Sequence, residues 1–158
     1  MDPALIPPLP RTWPPVPQDV HRPRTHLTAP QGWLNDPNGV CFHGGRWHVF
    51  YQHNPREPRW GGIHWAHASS ADLRHWTDEP LALAPGAPGE PDVDGCFSGS
   101  FALVDGVPTL HYTGFTWARQ VQCVATSDDP SLRRWTKRPE RTIHQPPEGV
   151  GGTDFRDP

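Results

Sequence analysis

The 158-residue sequence has no long apolar run, no segment with a sustained helical period, little cysteine and no surplus of positive charge. Without a run of bilayer length there is no transmembrane helix to expect. The opening residues have neither the basic start nor the apolar stretch of a signal peptide, so a cytoplasmic location is the expectation. Three cysteines, Cys41, Cys96 and Cys123, are an odd number without metal-ligand spacing, which favours reduced, buried thiols over a disulfide framework. A net charge of −3 offers nucleic acid no basic surface, and a neutral small ligand is the easier partner.

What is present is a strand pattern and a repeat. Short apolar runs alternate in period two, as in Trp47-His48-Val49-Phe50-Tyr51, between Gly, Asp and Pro. Leu73-Arg74-His75-Trp76-Thr77 returns as Leu132-Arg133-Arg134-Trp135-Thr136, and Gly45–Tyr51 echoes Gly106–Tyr112, a period of about 60 residues that signals repeated supersecondary units. The first unit predicts strands near Gly39–Phe42, Arg46–Gln52, Ile63–Ser69 and Leu81–Ala84. The second predicts them near Phe97–Val104, Val107–Thr113, Gln122–Ser127 and Arg141–His144. Four antiparallel strands per unit describe an all-β propeller blade. Two blades and the start of a third are expected within residues 24–158, as the N-terminal part of a longer protein whose isolated stability is marginal. Residues 1–23, crowded with Pro, are expected to form a mobile, extended tail.

The same dipeptide, Asp36-Pro37 and Asp157-Pro158, stands about 120 residues apart, two repeat lengths, so both carboxylates occupy equivalent points of their units. The first strand of a propeller blade is innermost, so these starting points converge on one mouth of the channel. Convergent carboxylates suit glycoside chemistry, one attacking or stabilising the sugar cation and one protonating the departing oxygen. Taken alone, Asn35-Asp36-Pro37-Asn38-Gly39 reads as turn chemistry, with Asp before Pro pushed toward an extended conformation. Of the eight tryptophans, Trp76 and Trp135 repeat and are expected to be structural, whereas Trp33 and Trp60 do not repeat and are candidate sugar-stacking residues. His64 and His67 lie three apart on a strand, facing opposite ways, and are expected to be hydrogen-bonded rather than metal ligands. Neither a metal nor another cofactor is called for.

In order along the chain, Trp33–Gly39 (WLNDPNG), Phe50–Pro55, Trp60-Gly61, His64–Ala68, Phe97–Ser100 and Phe155–Pro158 (FRDP) resemble the signatures of glycoside hydrolase family 32, which contains the invertases. The resemblance implies a five-bladed β-propeller followed by a β-sandwich, and retaining hydrolysis of β-fructofuranosides such as sucrose or short fructans. It implies that Asp36 is the nucleophile and that Asp157 stabilises the transition state by holding fructose hydroxyls, with Arg156 helping to keep it ionised. Asn35, Gln52, Trp60, Phe97 and Ser98 match positions lining the fructose pocket.

The family's acid/base is a Glu placed beyond Asp157, so the 158-residue chain itself is expected to show no appreciable turnover. Glu57, Glu79, Glu90, Glu140 and Glu148 are expected to be solvated surface carboxylates rather than substitutes for it. Spacing alone also allows Asp36 and Asp157 to pair as nucleophile and acid. Two alternatives are a propeller glycosidase for arabinan- or xylan-type glycans and a non-catalytic sugar-binding module.

Overall fold

Alternating apolar and polar residues build two antiparallel four-stranded sheets in the computed structural model, which describes residues 20–23, 25–149 and 154–158. The first sheet comprises β1 (Trp33–His43), β2 (Arg46–Asn54), β3 (His64–Ser70) and β4 (Thr77–Leu83), ordered as in the sequence. The second comprises β5 (Gly95–Val104), β6 (Val107–Thr116), β7 (Arg119–Thr126) and β8 (Thr136–Lys137), in the same up-and-down order. This is the expected all-β arrangement of two successive propeller blades. Most of the Pro-rich segment, residues 1–19, lies outside the described residues, whereas Arg22 donates to the carbonyls of Thr28 and Ala29 at 3.2 and 2.7 Å.

The sheets pack face to face. Phe50, Trp65 and Leu83 of the first meet Leu110, Tyr112 and Val121 of the second, all buried. Cys96 N–H donates to Ile63 O at 2.8 Å, tying the start of β5 to the residue before β3. The thiols are free, Cys96 and Cys123 buried and Cys41 partly so. Trp135 meets Phe50 edge-on at 5.6 Å, and Trp76 packs against the outer cluster of Tyr51, Ala66 and Ala68, so both repeated tryptophans are structural. His64 and His67 have separate partners: His64 Nδ1 donates to Gly62 O at 2.7 Å, and His67 Nε2 lies 2.9 Å from His48 Nδ1. Because His48 Nε2 can only donate to the His43 carbonyl, its Nδ1 accepts from His67.

Three expectations need correction. The strand expected at Arg141–His144 is instead a 3-10 turn at Pro139–Arg141 with one bridge, Ile143 to Gln122, and the outermost strand is Thr136–Lys137. Pro139 has no N–H to give a ladder, so the strand stops before it. β4 begins at Thr77 rather than Leu81 because Pro80 falls at a break in register on the sheet edge, where proline is tolerated. Glu79 is not a solvated carboxylate: its side chain is 14% exposed, accepts from Ser69 Oγ at 2.8 Å and pairs with Arg133 at 3.0 Å, joining the two sheets.

Candidate active site

The Asn-Asp-Pro-Asn-Gly stretch is not a turn. It is the first half of β1, and the irregularity its residues favour is spent on two bulges. Asn35 pairs with Gln52 and Pro37 with Tyr51, so Asp36 is the extra residue of the first bulge, unpaired and turned out of the ladder. In the second bulge Gly39 takes φ +52° with its α-carbon against the Phe50 ring, which only glycine does without strain. The second sheet repeats the device. Phe97 pairs with Thr113 and Gly99 with Tyr112, leaving Ser98 as the extra residue, and a side chain at Gly99 would run into the His111 carbonyl. Asp36, Ser98 and Asp157 follow one another at the repeat spacing of about 60 residues.

These three positions meet at a cavity of about 250 Å³ lined by Asn35, Asp36, Gln52, Trp60, Phe97, Ser98, Arg156 and Asp157. Every site residue predicted from the sequence is in that lining except Trp33, whose indole reaches it only through Asn35. A hydrogen-bond relay runs from Trp33 to the nucleophile position, each donor pointing the same way. Trp33 Nε1 donates to Asn35 Oδ1 at 2.6 Å, and Asn35 Nδ2 donates to Gln52 Oε1 at 2.6 Å. Gln52 Nε2 donates to Ser98 Oγ at 2.8 Å, and Ser98 Oγ donates to Asp36 Oδ2 at 2.8 Å. Each amide receives through oxygen and gives through nitrogen, so one orientation satisfies the whole chain.

The Ser98 hydrogen bond holds the Asp36 carboxyl below the usual aspartate value of 3.8, with smaller help from Asn35 and the Arg156 guanidinium and against the opposing effect of burial. Folding thus favours the carboxylate, a contribution fully present above pH 3.8 that fades as pH falls through the lowered value. Ser98→Ala removes the largest of these influences while leaving the partial burial, so the Asp36 titration is expected to move upward. A carboxyl-carbon NMR titration reads it, and an unmoved midpoint would remove Ser98 from this role.

Two positioning residues escaped sequence reading. Thr113 Oγ1, fully buried on β6, donates to Ser98 O at 3.2 Å and accepts the Asp157 N–H at 2.8 Å, fixing two of the three convergent positions at once. Asn38 Oδ1 accepts the Gly99 N–H across the sheets at 3.2 Å. Only Asn38 had a signal, its place in the Asn-Asp-Pro-Asn-Gly run. Asp157 itself takes φ +59°, a left-handed conformation for a non-glycine residue, contrary to the extended form proline usually imposes on its predecessor. Arg156 Nε stands 3.7 Å from Asp157 Oδ2. Glu57, Glu79, Glu90, Glu140 and Glu148 are all absent from the lining.

Residues 26–158 match the model of the glycosyl hydrolases family 32 N-terminal domain. This chain belongs to glycosyl hydrolase family 32. Among its family 32 relatives, sucrose-6-phosphate hydrolase of Escherichia coli is 48% identical over 145 residues, covering 86% of this chain and 29% of the relative. Beta-fructofuranosidase 1 of Zea mays is 46% identical, covering 84% of this chain and 20% of its own length. The crystal structure of fructan 1-exohydrolase IIa from Cichorium intybus superposes with a TM-score of 0.76 at 40% identity, covering 86% of this chain and 26% of that one. The chain therefore spans less than a third of the length of each of these relatives.

Proposed function

We propose that this chain carries the fructose-binding and nucleophile-bearing portion of a retaining β-fructofuranosidase acting on terminal β-D-fructofuranosides such as sucrose or short fructans. The observation that carries the reading is the relay ending on Asp36, which leaves one carboxylate ionised and fixed at the mouth of a cavity it shares with Asp157. Relatives solved with 1-kestose and with sucrose support a saccharide as the ligand.

In this reading an Asp36 oxygen attacks the anomeric carbon, the bond to the leaving oxygen breaks, and its electron pair departs with that oxygen. Water then attacks the fructosyl ester and regenerates the carboxylate. Asp157 receives hydroxyl hydrogen bonds from the sugar and offsets the positive charge that grows on the ring, with Arg156 beside it. Asn35 and Gln52 present the edge of the relay to the substrate, and Trp60 and Phe97 give it apolar faces.

Among the described residues, no Glu lines the cavity to protonate the leaving oxygen. Turnover of sucrose by the chain is thus expected to lack the roughly 10²–10⁴-fold supplied by acid catalysis. A fructosyl fluoride needs no such proton, because fluoride leaves as a stable anion. Incubation with it is expected to add the mass of one fructosyl unit to the chain. Binding of fructose without any labelling would instead favour a non-catalytic sugar-binding module.

A further inference from the structure

A row of aromatic rings begins on the cavity wall and runs out of it. Trp60 meets Phe97 edge-on at 5.7 Å, Phe97 lies parallel on Phe115 at 4.2 Å and 12°, and Phe115 meets Trp117 edge-on at 5.2 Å and 72°. The first two rings line the cavity and the last two do not. Trp117, at the far end, is 80% exposed.

The backbone builds this row. Gly95 pairs with Phe115 across β5 and β6, and because it has no side chain the Phe97 ring lies over it: a Cβ there would stand 3.3 Å from Phe97 Cε1. β5 starts beside the cavity and β6 ends there, so the connection from Thr116 to Arg119 stands at the cavity end of the sheet. Trp117 is held in that connection. Its N–H donates to Asp94 Oδ2 at 3.0 Å, and Thr116 Oγ1 both donates to Arg119 O and accepts the Arg119 N–H. A single exposed apolar residue needs no explanation. An indole anchored at its backbone, braced by a neighbouring ring and continuous with a sugar cavity is a preorganised surface, whose ordering on binding costs little.

We propose that Phe115 and Trp117 form an outer saccharide platform that takes the leaving-group rings of a fructo-oligosaccharide whose terminal fructose occupies the cavity. The proposal rests on the fructoside reading of that cavity. The occupant is a neutral sugar chain: aromatic faces match the C–H faces of sugar rings, while the Asp94 carboxylate, which accepts the Trp117 backbone N–H, adds an acceptor for hydroxyls.

The test uses the ¹⁵N-labelled 158-residue chain, with the indole N–H resonances of Trp60 and Trp117 assigned through Trp60→Phe and Trp117→Phe. Fructose is expected to shift the Trp60 resonance alone, and 1-kestose to shift both. Trp117→Ala is expected to lower the ratio of 1-kestose to fructose affinity by roughly three- to tenfold, the scale of one good ring contact. If 1-kestose moves Trp60 and leaves Trp117 still, or the ratio does not change, the platform is overturned and the cavity reading stands. If neither sugar moves either ring, the cavity reading falls and takes the platform with it.

Discussion

Asp36→Asn is expected to abolish covalent capture of the chain by fructosyl fluoride, a loss on the order of 10⁴-fold or more, because no substitute nucleophile acts in its place. The amide keeps the shape of the side chain, and its oxygen still accepts from Ser98 Oγ, so the relay and the cavity remain. What disappears is the charged oxygen that forms the ester. Intact-mass spectrometry reads the missing fructosyl increment, and peptide mapping of the wild-type adduct places it in the peptide containing residue 36. Asp157→Asn has a different expected outcome. It removes a charge that faces the developing cation and so slows labelling, but leaves the adduct detectable. Labelling of the chain that survives in Asp36→Asn, together with its loss in Asp157→Asn, would move the nucleophile to Asp157.

Trp65→Ala is expected to destabilise the chain by about 3–5 kcal/mol, read as a shift in the urea midpoint. Domains of this class are stable by only about 5–15 kcal/mol, so the variant stands near the edge of folding. The size follows from position. Trp65 is fully buried, with its ring 6.2 Å from Phe50 in its own sheet and 6.2 Å from Tyr112 in the other. It also reaches the active region, since its Nε1 donates to Phe97 O at 3.0 Å, one residue before Ser98. Loss of the indole leaves that carbonyl without its partner and loosens the bulge that presents Ser98 to Asp36. Trp117→Ala is the comparison, an exposed ring whose removal is expected to change stability by no more than about 0.5 kcal/mol. Equal losses in the two variants would contradict the burial argument.

The sequence disclosed more of the site than of the strand boundaries. Asp36 and Asp157 were visible as repeat equivalents, and family 32 motifs supplied Asn35, Gln52, Trp60, Phe97, Ser98 and Arg156, all of which line one cavity. Trp33, expected as a stacking surface, lies outside the lining and heads the relay that fixes Asn35. Local residue preference was misleading where a strand tolerates turn formers. Asn, Pro and Gly in residues 35–39 announced a turn, but β1 absorbs them as bulges because its partner β2 holds the register on either side. Pro139 had the opposite effect, ending an edge strand that apolar spacing placed later. Thr113 gave no sign of its importance, because a threonine on a strand is ordinary until the third segment comes back to bond with it.

The bulges have an evolutionary meaning for this architecture. A residue squeezed out of the pairing ladder owes nothing to its neighbours' backbone partners, so its identity is released from the demands of forming the sheet. Nature can write an acid at one such position and an alcohol at the next without redrawing either blade, and a protein engineer seeking new chemistry at this mouth would begin by rewriting those same out-of-line letters.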